Sequence, residues 1–327
     1  MRLLVLGGTE FVGRSIAEEA LRRGWAVTVF NRGRREPPPG ATVLTGDRTA
    51  PDGLAALGAG EWDLVVDTWA EAPRAVHDAM RLLARRARHC TYMSSRSVYS
   101  FPVPAGADED SPVVEGAPDA GAREYPQNKR GGELAALAAF GERALLVRAG
   151  AILGPHENSG RLPWWLSRIA RGGRVLAPGP RELGLQYIDV RDLAVWTLDA
   201  AAAGLGGPYD LVSPSGHTTM AELLEACAEV TGSGADLRWA GPDAVLAAGI
   251  EPWTGLPLWT PPGALHDSLH RSDVARALGA GLRCRPVTET VADTWAWLRE
   301  EGDRHPMTPD GPVSRATPEQ ENRALGG

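Results

Sequence analysis

The sequence has almost no lysine. Lys129 is the only one in 327 residues, so nearly all of the basic charge comes from arginine. Charge does not explain the exception, because a lysine ammonium and an arginine guanidinium carry the same charge. They differ in shape: the ammonium is compact and directs three donors at small targets, whereas the guanidinium is a planar fork. Since Lys129 follows Tyr125 by four residues, in the segment REYPQNKRGG, we interpret it as a residue whose contact requires a point charge.

Other scarce features exclude several classes of protein. The three cysteines, Cys90, Cys227 and Cys284, are odd in number and have no C-x-x-C spacing, which argues against a disulfide framework and a zinc site. The apolar run in MRLLVLGG is too short for a signal peptide, and no run approaches the roughly 20 residues of a membrane span. The net charge of −7 and the pI of about 5.6 argue against nucleic acid as a partner. We expect a cytoplasmic protein without a membrane partner.

The N-terminal segment RLLVLGGTEFVGRSIAEEALRRGWAVTVF predicts a strand, a glycine turn, a helix and a second strand. Leu3 to Leu6 form the continuous apolar run of a strand that is buried on both faces. Val12, Ile16 and Ala20 then recur every four residues, as on one face of a helix, and Gly24 stands where a helix commonly ends. This pattern indicates one βαβ unit.

The glycines of this unit lie between its first strand and its helix. Gly7 and Gly13 fit the spacing G-x-x-G-x-x-G, although Glu10 stands where the middle glycine belongs. Glycines at this position permit a tight turn and a close approach of the backbone to a pyrophosphate at the helix N-terminus. The alternative is an ordinary βα turn. Because a carboxylate repels pyrophosphate, we expect the Glu10 side chain to point into solvent.

The end of the second strand, FNRGRR, bears on the choice of cofactor. NAD-binding proteins commonly carry an acidic residue there, whereas an arginine nearby accommodates the 2′-phosphate of NADP. Here Asn31 stands at the acidic position, and Arg32, Arg34 and Arg35 follow. Guanidinium groups bind phosphate well. The segment therefore favours NADP, with NAD as the alternative cofactor and a solvated basic loop as the alternative interpretation.

Further strands alternate with helical segments along the first two thirds of the chain. This alternation predicts an α/β fold, a Rossmann-like doubly wound parallel sheet. We expect helices at residues 73–86 and 131–140, and further strands that end near Gly46-Asp47, Asp67, Ser94-Ser95 and Arg148.

Several motifs occur in a characteristic order. They are the glycine turn, GD at residues 46–47, SSRSVY at 94–99, YPQNK at 125–129, RAGAILGP at 148–155 and QYIDVRDLA at 186–194. With these motifs the chain resembles the extended short-chain dehydrogenase/reductase family, in its NAD-dependent epimerase/dehydratase-like branch, and is similar to actinobacterial reductase-type members. The resemblance extends from Met1 to about Glu301.

The resemblance implies that Ser95, Tyr125 and Lys129 are catalytic, with Ser94 as the rival of Ser95. Residues four apart on a helix share a face, so Tyr125 and Lys129 can point into one cleft. An ammonium about 4 Å from the phenol, at an effective dielectric constant of about 20, contributes roughly 4 kcal/mol and would bring the tyrosine pKa near neutrality. Lys129 is further expected to hold the nicotinamide ribose hydroxyls.

The resemblance also implies which residues contact the cofactor. This set comprises Gly7, Thr9, Phe11, Val12, Gly13, Asn31, Arg32, Arg34, Asp47, Arg48, Thr68, Trp69, Ser94, Tyr125, Lys129, Ala149 and Ile152. Dehydratases of the family carry an Asp-Glu pair where this chain has Arg96 and Ser97, which argues against a sugar 4,6-dehydratase.

The second half of the chain predicts a smaller C-terminal substrate-binding lobe. We assign 1–155 to the dinucleotide-binding domain, to which 182–212 return, 156–181 and 213–302 to the lobe, and 303–327 to a loosely held polar tail. Aromatic faces suit sugar rings or planar polyketides. Candidate substrate contacts are Ser95, His156, Trp164, Arg168, Gln186, Trp253 and Trp259. His266 and His270 lack an apparent third ligand, so we expect no metal.

Three functions are compatible with these features. The first is an NAD(P)-dependent oxidoreductase that transfers a hydride between nicotinamide and a carbonyl or hydroxyl carbon of a small sugar-type or natural-product substrate. The second is a nucleotide-sugar epimerase that retains NAD and uses the same three residues. The third is a nucleotide-sensing or RNA-associated protein without catalysis, which the complete Ser-Tyr-Lys set and the acidic pI disfavour. The family resemblance also suggests a homodimer.

Overall fold

The structure, a computed structural model, describes residues 1–302 and 315–326. Its strands are β1 (Arg2–Leu6), β2 (Ala26–Asn31), β3 (Thr42–Thr45), β4 (Trp62–Asp67), β5 (Ala87–Ser95), β6 (Ala144–Ala149), β7 (Ala151–Leu153), β8 (Arg174–Pro178), β9 (Gly184–Leu185), β10 (Tyr187–Asp189), β11 (Gly207–Leu211), β12 (Thr218–Thr219), β13 (Asp236–Ala240), β14 (Pro252–Trp253) and β15 (Leu256–Pro257). Its α-helices are α1 (Phe11–Arg22), α2 (Pro73–Leu83), α3 (Tyr125–Phe140), α4 (Leu162–Ala170), α5 (Val190–Ala202), α6 (Met220–Thr231), α7 (Pro242–Ala247), α8 (Ala264–His270), α9 (Ala275–Gly279), α10 (Val287–Glu301) and α11 (Pro318–Ala324). None of these helices is long and apolar enough to cross a membrane.

Seven strands form one parallel sheet in the order β11-β6-β5-β4-β1-β2-β3. The chain builds outward from β1 to β3 and then returns to place β4 on the other side of β1. Such a reversal opens a crevice at the carboxyl ends of the strands, where open α/β sheets bind ligands. The predicted doubly wound, Rossmann-like fold is confirmed.

Helices cover both faces of the sheet because successive strand residues point to opposite sides. In β1, Leu3 and Val5 pack in the core beneath α1 and α5, whereas Leu4 and Leu6 pack in the core beneath α2 and α3. All four side chains are at most 2% exposed. The continuous apolar run is thus explained by burial on both faces.

A separate apolar core lies in the C-terminal half. It is formed by residues of α4, α6 and α10 together with the parallel pair β8 and β13, and the side chains of Trp165 and Trp259 are fully buried in it. This core does not merge with the two cores of the large sheet.

The end of the chain packs against this second core. Glu321 in α11 binds Arg168, and Leu325 packs against the apolar cluster. The expectation of a loosely held tail is therefore wrong for residues 315–326, because a buried ion pair and apolar contacts hold them. The remainder of the predicted tail, 303–314 and Gly327, lies outside the described residues.

Candidate active site

A cleft of about 990 Å³ lies at the carboxyl ends of β1, β2 and β4. The glycine turn, the loop after β2 and the first residue of α3 contribute to its lining. The lining includes Gly7, Thr9, Glu10, Phe11, Val12, Gly13, Asn31, Arg32, Arg34, Arg35, Asp47, Arg48, Thr68, Trp69, Glu71, Tyr125 and Asn158. Most of the side chains expected to contact a cofactor are thus brought together around one cavity.

The glycine turn leaves no room for side chains. Gly7 has a φ of +118°, and a Cβ atom there would overlap the hydroxyl of Thr68. A Cβ at Gly13 would lie 2.6 Å from the amide nitrogen of Gly8. Helix α1 starts directly after the turn, and its N-cap residue, Glu10, makes no side-chain capping bond. The first amides of α1 therefore stay available to an anion, which fits the pyrophosphate of a dinucleotide.

Glu10 does not simply point into solvent. Its carboxylate forms a salt bridge of 2.8 Å with Arg35, which lies in the loop after β2. The expectation is corrected in this respect: the side chain is about half exposed, but an ion pair across two elements of the cleft engages it.

The loop at the end of β2 carries the side-chain amide of Asn31 and the guanidinium groups of Arg32 and Arg34. Asn31 accepts a hydrogen bond of 2.6 Å from the amide of Gly33. Arg32 and Arg34 are exposed at the cleft and form no salt bridge within the described parts of the chain. The pKa of Asp47 is lowered, chiefly by hydrogen bonds from Thr49 and further by the charges of Arg32 and Arg34. This corner of the cleft can receive a phosphate.

Arg48 is among the residues expected to bind the cofactor, but in the structure its charge is paired with the carboxylate of Asp67. Its guanidinium makes two hydrogen bonds of 2.7 Å to Asp67 and a third to the carbonyl of Ala75. It also lies over the ring of Trp69. With a side chain that is 7% exposed and an ion pair with Asp67, Arg48 forms part of the cleft wall but offers no unpaired charge to an anion.

Lys129 is buried one turn into α3. Its ammonium donates to the carbonyl of Trp69 at 2.9 Å and to that of Met93 at 2.7 Å. Burial lowers its pKa to about 8, against the opposing effect of the carboxylates of Asp67 and Glu133. Since an ammonium has three donors, one remains for a further acceptor.

Tyr125 is the first residue of α3, and 47% of its surface is exposed. Its pKa is raised, because loss of hydration in the cleft outweighs a hydrogen bond with Ser95 and the positive charge of Arg161. The expectation that Lys129 brings this pKa near neutrality is wrong for this structure. The ammonium lies 5.9 Å from the centre of the phenol ring and is bound to two carbonyls.

The two serines at the end of β5 have different surroundings. Ser95 lies within hydrogen-bonding reach of Tyr125, and its hydroxyl accepts a bond from the amide of Ser97 at 3.1 Å. Ser94 is 5% exposed and donates to the buried carboxylate of Glu133 at 2.8 Å. Ser94 is therefore excluded as the rival of Ser95 and as a hydroxyl that contacts the cofactor.

Three expected substrate contacts are structural residues instead. Trp259 has no exposed surface, and its indole donates to the carbonyl of Gly179 at 2.9 Å. Gln186 is 1% exposed, and its amide donates to two backbone carbonyls. Arg168 forms an ion pair with Glu321. These three expectations are wrong, because partners from distant parts of the chain engage each side chain.

The remaining expected positions lie at varying distances from the cleft. Trp164 packs edge-on against Trp165, with 4.7 Å between ring centres, in the core of the lobe. Ala149, at the end of β6, is 5% exposed, and Ile152 in β7 packs against the core beneath α5. His156 lies beside Trp297, and burial is the main cause of its lowered pKa. None of these four expected residues lines the cleft.

Two residues of the segment GPHENSGR, unlike His156, line the cleft or act on the charge of Tyr125. Asn158 lines the cleft, and the guanidinium of Arg161 influences Tyr125 while lying 5.8 Å from the ring of Trp253. The sequence motifs do not single out Asn158 as a site residue. No periodic pattern marks either residue, since both lie in an irregular loop.

Comparisons with known proteins agree with this architecture. The family model described as the NAD dependent epimerase/dehydratase family matches residues 3–209. No curated protein matches the chain. Among solved structures, Bordetella bronchiseptica WbmH in complex with NAD+ is 19% identical with a TM-score of 0.66, covering 92% of this chain and 99% of that chain.

Two further structures are similar in fold. The UDP-glucose 4-epimerase of Thermotoga maritima, solved with UDP-glucose, is 17% identical with a TM-score of 0.64, covering 92% of this chain and 99% of that chain. The dTDP-glucose 4,6-dehydratase of Bacillus anthracis, in complex with NAD, is 14% identical with a TM-score of 0.64, covering 94% of this chain and 100% of that chain. At these identities the similarity concerns the fold alone, but the family model matches well over half of the sequence. The chain belongs to the NAD-dependent epimerase/dehydratase family.

Proposed function

We propose that this protein is an NAD(P)-dependent oxidoreductase acting on a carbonyl or hydroxyl carbon of a small molecule. The observation that carries the proposal is the position of Tyr125. Its side chain lines the same cleft as the glycine turn and lies within hydrogen-bonding reach of Ser95. A nicotinamide bound in this cleft would supply the hydride acceptor or donor.

In this proposal Tyr125, Ser95 and Lys129 have separate roles. Tyr125 gives a proton to the substrate oxygen or takes one from it, and Ser95 holds that oxygen by a hydrogen bond. Lys129 uses its third donor for the ribose hydroxyls of the nucleotide. Because the pKa of Tyr125 is raised, its phenol is protonated at neutral pH, which suits the reduction of a carbonyl.

NADP is the preferred cofactor in this proposal. Arg32 and Arg34 are exposed at the cleft, and position 31 carries an amide that does not repel a phosphate. NAD is the alternative cofactor, and an NAD-retaining nucleotide-sugar epimerase is the alternative function. The fold shared with UDP-glucose 4-epimerase favours that alternative. The proposal includes a cytoplasmic location and a homodimer.

The two residues that follow Ser95 argue against a dehydratase. They are Arg96 and Ser97 instead of an acidic pair, and the buried guanidinium of Arg96 donates to the carbonyls of Ser268 and Leu269. An elimination of water needs an acid and a base there, as the dehydratases of the family supply.

The cofactor content tests these proposals. The protein is purified and denatured, any released dinucleotide is identified by mass spectrometry, and the empty protein is titrated with NADPH and NADH. We expect no retained nucleotide, and we expect NADPH to bind at least tenfold more tightly than NADH. A tenfold ratio corresponds to about 1.4 kcal/mol, which is of the order of one charge-assisted hydrogen bond. Release of stoichiometric NAD would favour the epimerase. Binding of neither dinucleotide would contradict both enzymatic functions.

A further inference from the structure

The three arginines after β2 are not equivalent. Arg35 is engaged in the salt bridge with Glu10, whereas Arg32 and Arg34 form none in the described ranges 1–302 and 315–326. All three line the cleft. The charges of Arg32 and Arg34 contribute to the lowered pKa of Asp47, which lies two residues after the neighbouring strand β3. Arg35 instead connects its loop to the residue that precedes α1.

Glu10 needs a counter-ion because of its place in the chain. It is the N-cap of α1, next to the amides that a diphosphate would use. An acidic side chain at this end stabilises the helix itself, but it repels a second anion at the same amides. A nearby guanidinium cancels most of that repulsion.

We propose that Arg35 is the counter-ion of Glu10 and not a ligand of a 2′-phosphate. The pair leaves the glycine turn electrically neutral toward the diphosphate that NAD and NADP share, and only Arg32 and Arg34 distinguish the two cofactors. This inference rests on the proposed function, since it concerns dinucleotide binding in the same cleft. It makes Glu10 and Arg35 positioning residues for binding and not catalytic residues.

Binding measurements on the purified full-length protein test the inference. The variants are R35A, E10Q and the double variant E10Q/R35A, titrated with NADPH, NADH and ADP by calorimetry. Since ADP carries adenosine and the diphosphate but no 2′-phosphate and no nicotinamide, it reports on the diphosphate contact without a contribution from either of those groups. We expect R35A to weaken all three ligands by the same factor, roughly fivefold, because Glu10 then faces the diphosphate unpaired.

The double variant supplies the decisive comparison. Removing the carboxylate together with the guanidinium should restore binding to within about twofold of the wild type, because the effects of substituting two interacting residues are not additive. R32A should weaken NADPH only. E18Q removes the partly exposed Glu18–Arg14 pair farther along α1, outside the cleft lining, and should leave all three affinities unchanged.

Two results would overturn the inference while leaving the proposed function intact. One is a loss in R35A confined to NADPH, which would make Arg35 a 2′-phosphate ligand. The other is an unchanged affinity of R35A for every ligand. A wild-type protein that binds neither NADPH nor NADH would overturn the proposed function itself, and this inference with it. Thermal unfolding of each variant verifies that the exposed substitutions leave the fold intact.

Discussion

At the scale of single residues, Lys129 joins α3 to the carboxyl ends of the central strands β4 and β5. Its ammonium donates to carbonyls that follow β4 and lie within β5, at Trp69 and Met93, and its side chain is 4% exposed. An arginine at this position would have to place a planar fork where two carbonyls converge on one nitrogen. This geometry gives a physical reason for a single lysine in a chain that otherwise uses arginine.

The buried charge of Lys129 predicts an alkaline dependence of stability. Its folded pKa of about 8 lies below the ordinary value of 10.5, so the unfolded chain binds the proton more tightly. The folded protein should therefore gain stability, up to about 3 kcal/mol, as the pH rises from about 8 to 10.5. The measurement is the free energy of unfolding of the wild type minus that of K129M across this range. A difference that stays constant with pH would contradict the prediction.

At the scale of elements, an ion pair and apolar contacts hold α11 to the lobe. Arg168 in α4 binds both carboxylate oxygens of Glu321, at 2.8 and 2.7 Å, and the two side chains are 15% and 7% exposed. The short helix also starts with a capping box formed by Thr317 and Gln320. A seven-residue helix is too short to be stable alone, so its order depends on these contacts.

E321Q should lower the free energy of unfolding by about 2 kcal/mol, because it leaves the Arg168 guanidinium without a charged partner in a mostly buried setting. Chemical denaturation measures the change, and NADPH affinity should stay the same. The matched control is E225Q, which removes the exposed Arg181–Glu225 pair on the same lobe. Its cost should stay below about 1 kcal/mol. Equal effects of the two substitutions would contradict the argument.

At the scale of the whole molecule, Arg96 connects the sheet to the lobe. It follows Ser95 directly, donates to the carbonyls of Ser268 and Leu269 at the end of α8, and lies 3.5 Å from the carboxylate of Asp210. Burial raises the pKa of Asp210 to about 6, although the charge of Arg96 opposes this shift. The position of Ser95 is thus tied to the lobe by a buried cation.

R96M should destabilise the protein by about 3 kcal/mol, since it leaves Asp210 and two carbonyls buried without this partner. Denaturant unfolding gives the free energy, and hydrogen exchange in α8 shows whether the loss is located at the lobe. R276M serves as the control, because Arg276 pairs with Glu109 and Asp110 at a position that is 38% exposed. A loss in R96M no greater than that in R276M would count against the coupling.

Local patterns account for the parts of the site that are contiguous in the chain. The spacing of Gly7 and Gly13 after an apolar run predicted the turn, and the turn is so tight that neither position has room for a Cβ atom. Helix α3 begins at Tyr125, six residues before the predicted start at 131, and therefore contains both Tyr125 and Lys129. Their catalytic roles stay predictions.

The sequence alone thus determined the alternation of strands and helices and the glycine turn, because each is specified by residues within a few positions of one another. Only the tertiary structure decided which polar side chains are free. Arg48, Arg168 and Gln186 are engaged by Asp67, by Glu321 and by the Ser213 and Ser272 carbonyls, and no local pattern specifies partners 19 to 153 positions away. Charge and hydrogen-bonding capacity are properties of a residue type, whereas their availability to a ligand depends on which distant groups folding places beside them.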